Sequence, residues 1–254
     1  MTRASAHVER PRTDQVPRPT RWLLHGGRPA SRWLIRRRYD VHVHHAERFP
    51  ARGPVVVAGN HVGYADGPLM AIFSPRPVHA LTKVEMFTGP LGWFLRLAGQ
   101  IPIDRFRVDP GAVRTSLRVL RDGGAVGVFP EGARGAGDLD RFHRGAAYLA
   151  MVTGATVVPV TFLGTREPGG HTDSLPAKGA RIDMVVGEPV PFAAVPWPRV
   201  RDEVTARSQE LHRAMLAGLS AALDETGRSL PGPLPPGETE PDPGDDVTEM
   251  ERHD

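Results

Sequence analysis

Short apolar runs alternate with amphipathic stretches along most of this chain. Residues 55–59, 78–82, 125–129, 156–163 and 182–186 are predominantly apolar and are bounded by glycine, proline or polar positions. Runs of that length predict buried strands. Between them lie helical patterns. Asp109-Pro110 supplies an N-cap and a first-turn proline, Val113, Leu117 and Leu120 fall on one face, and Gly123-Gly124 ends the segment. Residues 144–152 and 200–223 predict two further helices, and an aromatic helical stretch covers residues 91–98. The chain contains no internal repeat. Strands alternating with helices predict a single α/β domain.

The two ends read differently from the middle. Residues 1–20 are polar, with no apolar stretch of the kind a signal peptide carries, and read as a disordered N-terminus. Residues 21–38 place Trp22, Leu23, Leu24, Trp33, Leu34 and Ile35 among arginines on either side of Gly26-Gly27, which predicts a basic, amphipathic segment suited to a membrane interface. The folded domain spans residues 39–228. Residues 229–254 are proline, glycine and acid with little to bury, so they cannot offset the entropy of ordering and read as a disordered tail.

Composition narrows the chemistry. There are no cysteines, which excludes disulfides, thiolate metal sites and cysteine nucleophiles. No apolar run approaches the roughly 18 residues of a spanning helix. The net charge of +3 is too small to argue for nucleic acid, but it is lopsided, with arginines at the front and acids such as Asp242, Asp245 and Asp246 at the back.

Four segments carry candidate chemistry. In Gly59-Asn60-His61-Val62-Gly63-Tyr64-Ala65-Asp66 a histidine precedes an aspartate by five positions, directly after a buried strand. Imidazole accepts protons near neutral pH, and a carboxylate fixes its tautomer. On a regular helix five positions turn roughly 500°, leaving the two side chains about 140° apart, so the motif must straddle a strand-to-helix turn. Gly99-Gln100-Ile101-Pro102-Ile103-Asp104-Arg105 and Phe129-Pro130-Glu131-Gly132-Ala133-Arg134-Gly135 put Arg105 and Arg134 at strand ends, where α/β folds assemble ligand sites. Arginine there suits a phosphate, which it grips with two parallel donors. Glu131 would repel that phosphate unless it holds an arginine or accepts from a substrate hydroxyl. Val158-Pro159-Val160 lies in the following strand.

Through these blocks, over roughly residues 38–188, the chain resembles the PlsC-like 1-acylglycerol-3-phosphate (lysophosphatidic acid) acyltransferase family of the glycerolipid acyltransferase superfamily. The resemblance implies a central mixed β-sheet flanked by helices, with an N-terminal amphipathic helical segment. It implies that His61 is the general base and Asp66 its partner, and that Arg105, Glu131, Gly132 and Arg134 bind the acceptor's glycerol phosphate. The implied reaction moves a fatty acyl group from acyl-CoA or acyl carrier protein to a lysophospholipid hydroxyl, most simply giving phosphatidic acid. Backbone amides in the turn after Asn60 are the expected oxyanion donors. No cofactor, metal or nucleic acid is expected, and the expected location is cytoplasmic, peripheral on the inner face of the cell membrane. Two positions depart from the family pattern: Gly63 stands where a serine is frequent, and Gly135 where a serine or threonine is frequent.

Other readings remain beside this one. The acceptor could be glycerol 3-phosphate or another lyso- or hydroxylated lipid, or the chain could be a non-catalytic lipid-binding protein on the same fold. A hydrolase lacks its Gly-x-Ser-x-Gly elbow here. His42, His44 and His45 suggest a metal site, but no acidic ligand pattern follows at zinc-like spacing, so a half-exposed strand is the better reading.

Overall fold

Seven strands form one sheet in the computed structural model, which describes residues 10–238. The strands β1 (Asp40–His44), β2 (Val55–Gly59), β3 (Val78–Lys83), β4 (Ile101–Ile103), β5 (Ala125–Val128), β6 (Thr156–Leu163) and β7 (Arg181–Val186) lie in the order β1-β7-β6-β2-β5-β3-β4. All neighbouring pairs are parallel except β6 and β7, so the sheet is mixed. Parallel sheets are covered on both faces, which is why β2 reads as an unbroken apolar run. Its residues divide by parity. Val55 and Val57 pack with Met70, Phe73 and Ile182 on one face, whereas Val56 and Ala58 pack with Leu117, Leu149 and Leu211 on the other.

Helices α1 (Trp22–Gly26), α2 (Arg28–Arg38), α3 (Asp66–Phe73), α4 (Gly89–Leu97), α5 (Pro110–Arg121), α6 (Gly145–Thr153) and α7 (Arg201–Thr226) complete the domain. The start of α5 is fixed as its sequence predicts: Asp109 Oδ1 accepts from the N–H groups of Gly111 and Ala112 at 2.9 Å, a cap worth about 1 kcal/mol. The second oxygen of Asp109 accepts from Asp104 N at 3.1 Å and so ties down the loop that carries Arg105. Pro159 lies in β6 just past the end of β7, its carbonyl accepting from Gly187 N at 2.9 Å.

The N-terminal helices dock through guanidinium groups. Arg32 donates to the carbonyls of Ile72 at 2.7 Å and Ser74 at 2.9 Å, and Arg28 also donates to both. These carbonyls close the C-terminal end of α3, where cations are favoured. No residue of α2 is buried. Residues 10–20 run without regular structure against α5, with Arg121 donating to Pro11 O at 2.7 Å and Arg18 pairing with Asp122 at 2.7 Å. Glu238, in the stretch after α7, accepts from Thr172 N and Oγ1. The remainders of the two expected tails, residues 1–9 and 239–254, lie outside the described residues.

Among the described residues no helix is long and apolar enough to cross a membrane.

Candidate active site

The carboxyl ends of β2, β3, β4 and β5 deliver the candidate residues to one end of the sheet. β2 stops at Gly59 and α3 begins at Asp66, so the histidine and aspartate straddle a strand-to-helix turn. Asn60 seats that turn against β6. Its Oδ1 accepts from Phe162 N at 2.7 Å and its Nδ2 donates to Phe162 O at 3.2 Å.

Asp66 is fully buried in the first turn of α3, where the helix dipole favours a carboxylate. One oxygen, Oδ2, lies 2.9 Å from His61 Nδ1 and accepts from the N–H groups of Val62 and Gly63 at 2.8 Å. This geometry assigns the proton of the neutral ring to Nδ1 and leaves Nε2 as the acceptor. The ring stacks on Phe129, with centroids 4.0 Å apart. Burial lowers the His61 pKa below its ordinary value, Asp66 opposes that shift, and the charges of Arg134 and Lys83 add to it. The imidazole is therefore neutral at neutral pH and able to take a proton.

These bonds narrow one expectation, that of oxyanion donors among the amides of the turn after Asn60. The N–H groups of Val62 and Gly63 serve Asp66, and that of His61 serves Glu131 at 2.7 Å. Each N–H has one hydrogen, so the amides of residues 61–63 are not the oxyanion donors.

His61 lines a cavity of about 500 Å³ together with Lys83, Arg105, Gly132 and Arg144. Part of the remaining wall is apolar and comes from the core: Leu81, Ile103, Val113, Val128 and Leu149. One end of an amphiphile can thus meet cations while its chain meets hydrocarbon. Lys83 was missed by sequence reasoning. It is the last residue of β3, opposite Ile103 of β4, and thus two positions from Arg105 along the neighbouring strand path. Burial, with Arg134 and Arg105 nearby, lowers its pKa to about 8. The signal available was its place at the end of an apolar run.

Glu131 and Arg134 are placed differently from Arg105. The register of β2 against β5 pairs Val55 with Ala125 and Ala58 with Val128, and the same offset carries His61 alongside Glu131. Glu131 is buried, accepts from His61 N, and has its pKa raised by burial to about 8. It acts on the backbone of the candidate base. Arg105 Nη1 donates to Gly132 O at 2.7 Å, and Gly132 adopts φ 70°, a conformation that favours glycine. Arg134 donates to Thr172 O and to Asp173 Oδ1, both at 2.8 Å. With Glu131 and Arg141 it lines a neighbouring cavity of about 380 Å³ rather than the one His61 lines. The structure therefore brings His61, Arg105 and Gly132 to one cavity, with Asp66 buried against His61, and sets Glu131 and Arg134 on a neighbouring one.

His44 and His45 are engaged elsewhere, by Asp183 at 2.8 Å and Glu225 at 2.9 Å. Among the described residues no group of three or more histidine, cysteine, aspartate or glutamate side chains could hold a metal ion.

In sequence and in fold the chain is similar to known proteins. The sequence model of the family described as Acyltransferase matches residues 40–163. A 1-acyl-sn-glycerol-3-phosphate acyltransferase of Bacillus subtilis (strain 168) is 27% identical over 182 residues, 71% of this chain and 88% of that protein. A lyso-ornithine lipid O-acyltransferase of Pseudomonas aeruginosa is 28% identical over 197 residues, covering 70% of this chain and 73% of its own. The chain spans about half the length of several other curated relatives. The crystal structure of the 1-acyl-sn-glycerophosphate (LPA) acyltransferase PlsC from Thermotoga maritima superposes with a TM-score of 0.57 at 22% identity, covering 79% of this chain and 78% of that one.

Proposed function

Because the chain belongs to the PlsC-like acyltransferase family, we propose that it esterifies the free hydroxyl of 1-acylglycerol 3-phosphate with the acyl group of a thioester, giving phosphatidic acid. One observation carries this reading. The Nδ1 of His61 is held by a buried carboxylate, while the ring borders a cavity with Lys83 and Arg105 on its wall and apolar core residues behind them.

The steps follow from those positions. Lys83 and Arg105 hold the acceptor's phosphate, and the acyl chain lies along Leu81, Ile103 and Leu149. As the glycerol oxygen attacks the thioester carbonyl, Nε2 of His61 takes its proton. Asp66 stabilises the imidazolium that forms. Collapse of the tetrahedral intermediate breaks the C–S bond, and the departing thiolate recovers the proton from His61. No acyl-enzyme forms. A base held this way contributes on the order of 10² to 10⁴ in rate, and positioning of the two substrates supplies much of the remainder. Arg134 acts at longer range, holding the loop of Thr172 and Asp173 and depressing the pKa of both His61 and Lys83.

Access to substrate is from a membrane surface, on the cytoplasmic face. Trp22, Trp33, Leu34, Trp93 and Phe94 are each at least half exposed, and they sit on α1, α2 and α4, which pack as neighbours through α1. Exposed aromatic side chains beside arginines suit the headgroup layer of anionic lipid. Arg36 and Arg37 stack over Phe73 and Trp33.

The likeness to a lyso-ornithine lipid O-acyltransferase supports a second reading for the acceptor. Thiol release from acyl-CoA and acyl carrier protein, measured with 1-acylglycerol 3-phosphate, glycerol 3-phosphate and lyso-ornithine lipid in parallel, tests the proposal. Turnover with the first acceptor above the others supports it, and turnover with none of them contradicts it.

A further inference from the structure

Arg166 is a buried cation that no motif contains. It lies three positions past the end of β6, is 2% exposed, and forms no ion pair among the described residues. Its guanidinium instead donates to four backbone carbonyls: Val62 at 2.8 Å, Gly135 at 2.9 Å, Gly170 at 3.0 Å and Gly232 at 2.6 Å. Burying a cation is unfavourable unless its donors are well satisfied. Five fixed N–H groups in one plane suit a junction between separate chain segments, which a lysine cannot replace.

The segments joined here are those that frame His61. The peptide between Val62 and Gly63 is held from both sides, its C=O by Arg166 and its N–H by Asp66. Gly135 is held likewise: its C=O accepts from Arg166, and its N–H donates to His61 O at 2.9 Å. Both contacts fall at or next to the two glycines that depart from the family pattern. At Gly63 the reason is space, because an added Cβ would lie 2.6 Å from Thr165 O and 3.4 Å from Arg166 Cβ. A side chain at position 63 and the present course of Thr165-Arg166 are mutually exclusive.

We infer that Arg166 is a positioning residue for the acyl transfer, clamping the turn from His61 to Gly63 to the loop of Gly135 so that His61 Nδ1 stays on Asp66. This rests on the proposed role of His61 as base. Loss of the clamp leaves both substrate sites in place but loosens the ring that must meet the hydroxyl, so turnover falls and affinity does not.

Arg166→Lys tests this with two readouts and circular dichroism as the control for folding. The expected result is a kcat reduced about 10- to 100-fold, the effect of roughly 1 Å of misplacement, with KM for acceptor and donor unchanged. In ¹⁵N spectra of the substrate-free protein, the Nδ1-protonated tautomer of His61 gives way to a mixture. A kcat and tautomer equal to wild type, or a change confined to KM, overturns the inference. Should Arg166→Lys fail to fold, Gly63→Ala decides, because its Cβ displaces Thr165-Arg166 from the other side. It is expected to give the same loss of kcat and the same tautomer change, and wild-type behaviour overturns the inference. The tautomer is read without substrate, so it judges Arg166 even if His61→Ala were to retain activity and the base assignment failed.

Discussion

The carboxyl group of Glu131 accepts a hydrogen bond from the backbone N–H of His61 at 2.7 Å, joining residues seventy positions apart. The contact follows from the parallel register of β2 and β5, which brings the two strand ends out side by side. It makes Glu131 a support for the base-bearing turn. Its raised pKa, about 8 against 4.5, means that the folded protein retains a proton there which the unfolded chain releases. That contribution to stability is present below pH 4.5 and is lost as pH rises toward 8. Glu131→Gln keeps the acceptor for His61 N without the titration. Its melting temperature is expected to gain on wild type as pH rises across that interval, with activity held within a few-fold. Thermal scans at a series of pH values check this, and a gain toward acid pH instead would contradict it.

Asp66 combines orientation with charge. Asp66→Asn can still accept from Val62 N or Gly63 N but no longer stabilises an imidazolium, so kcat is expected to fall by about 10²-fold or more with little change in KM. Steady-state kinetics on the folded variant decide the point.

Lys83 and Arg105 are expected to act on the acceptor. Lys83→Met raises KM for 1-acylglycerol 3-phosphate about tenfold or more, the loss of one charge-assisted contact of roughly 1.5–3 kcal/mol, while KM for the donor holds. Because Lys83 titrates near 8, wild-type affinity for the acceptor declines as pH rises through that value. Lys83→Arg, charged throughout, moves the decline to higher pH. An alkaline limb unmoved by this substitution would assign it to another group.

The exposed aromatic residues of α1, α2 and α4 predict binding to anionic vesicles that salt weakens. Replacing Trp33 and Trp93 by alanine is expected to reduce cosedimentation with such vesicles without lowering the melting temperature, since both side chains are more than 60% exposed.

Much of the fold was legible because its signals are local. The apolar run of β2, the Asp109-Pro110 cap and the Gly26-Gly27 break each act within a few residues. β4 was legible only through the placing of Arg105 at a strand end, since Ile101–Ile103 is three residues long and contains a proline. In the candidate site, the His61 and Asp66 pairing is also local, set by the turn into α3. The roles of Glu131, Lys83 and Arg166 are set by strand order and register, which bring together residues 70 or more than 100 positions apart. No spacing in the sequence carries that information.

The central claim is that neutral His61 takes the proton of the lipid hydroxyl. Its most direct test is the dependence of kcat on pH, from acid to neutral, under conditions where acyl transfer limits the rate, for wild type and His61→Ala. Wild type should lose activity as pH falls through a pKa below the ordinary histidine value of about 6.5, following the protonation that burial opposes. His61→Ala should retain lipid binding but fall by on the order of 10² to 10⁴, with that acid limb gone. A His61→Ala enzyme with wild-type turnover, or one keeping the same acid limb, would contradict the account.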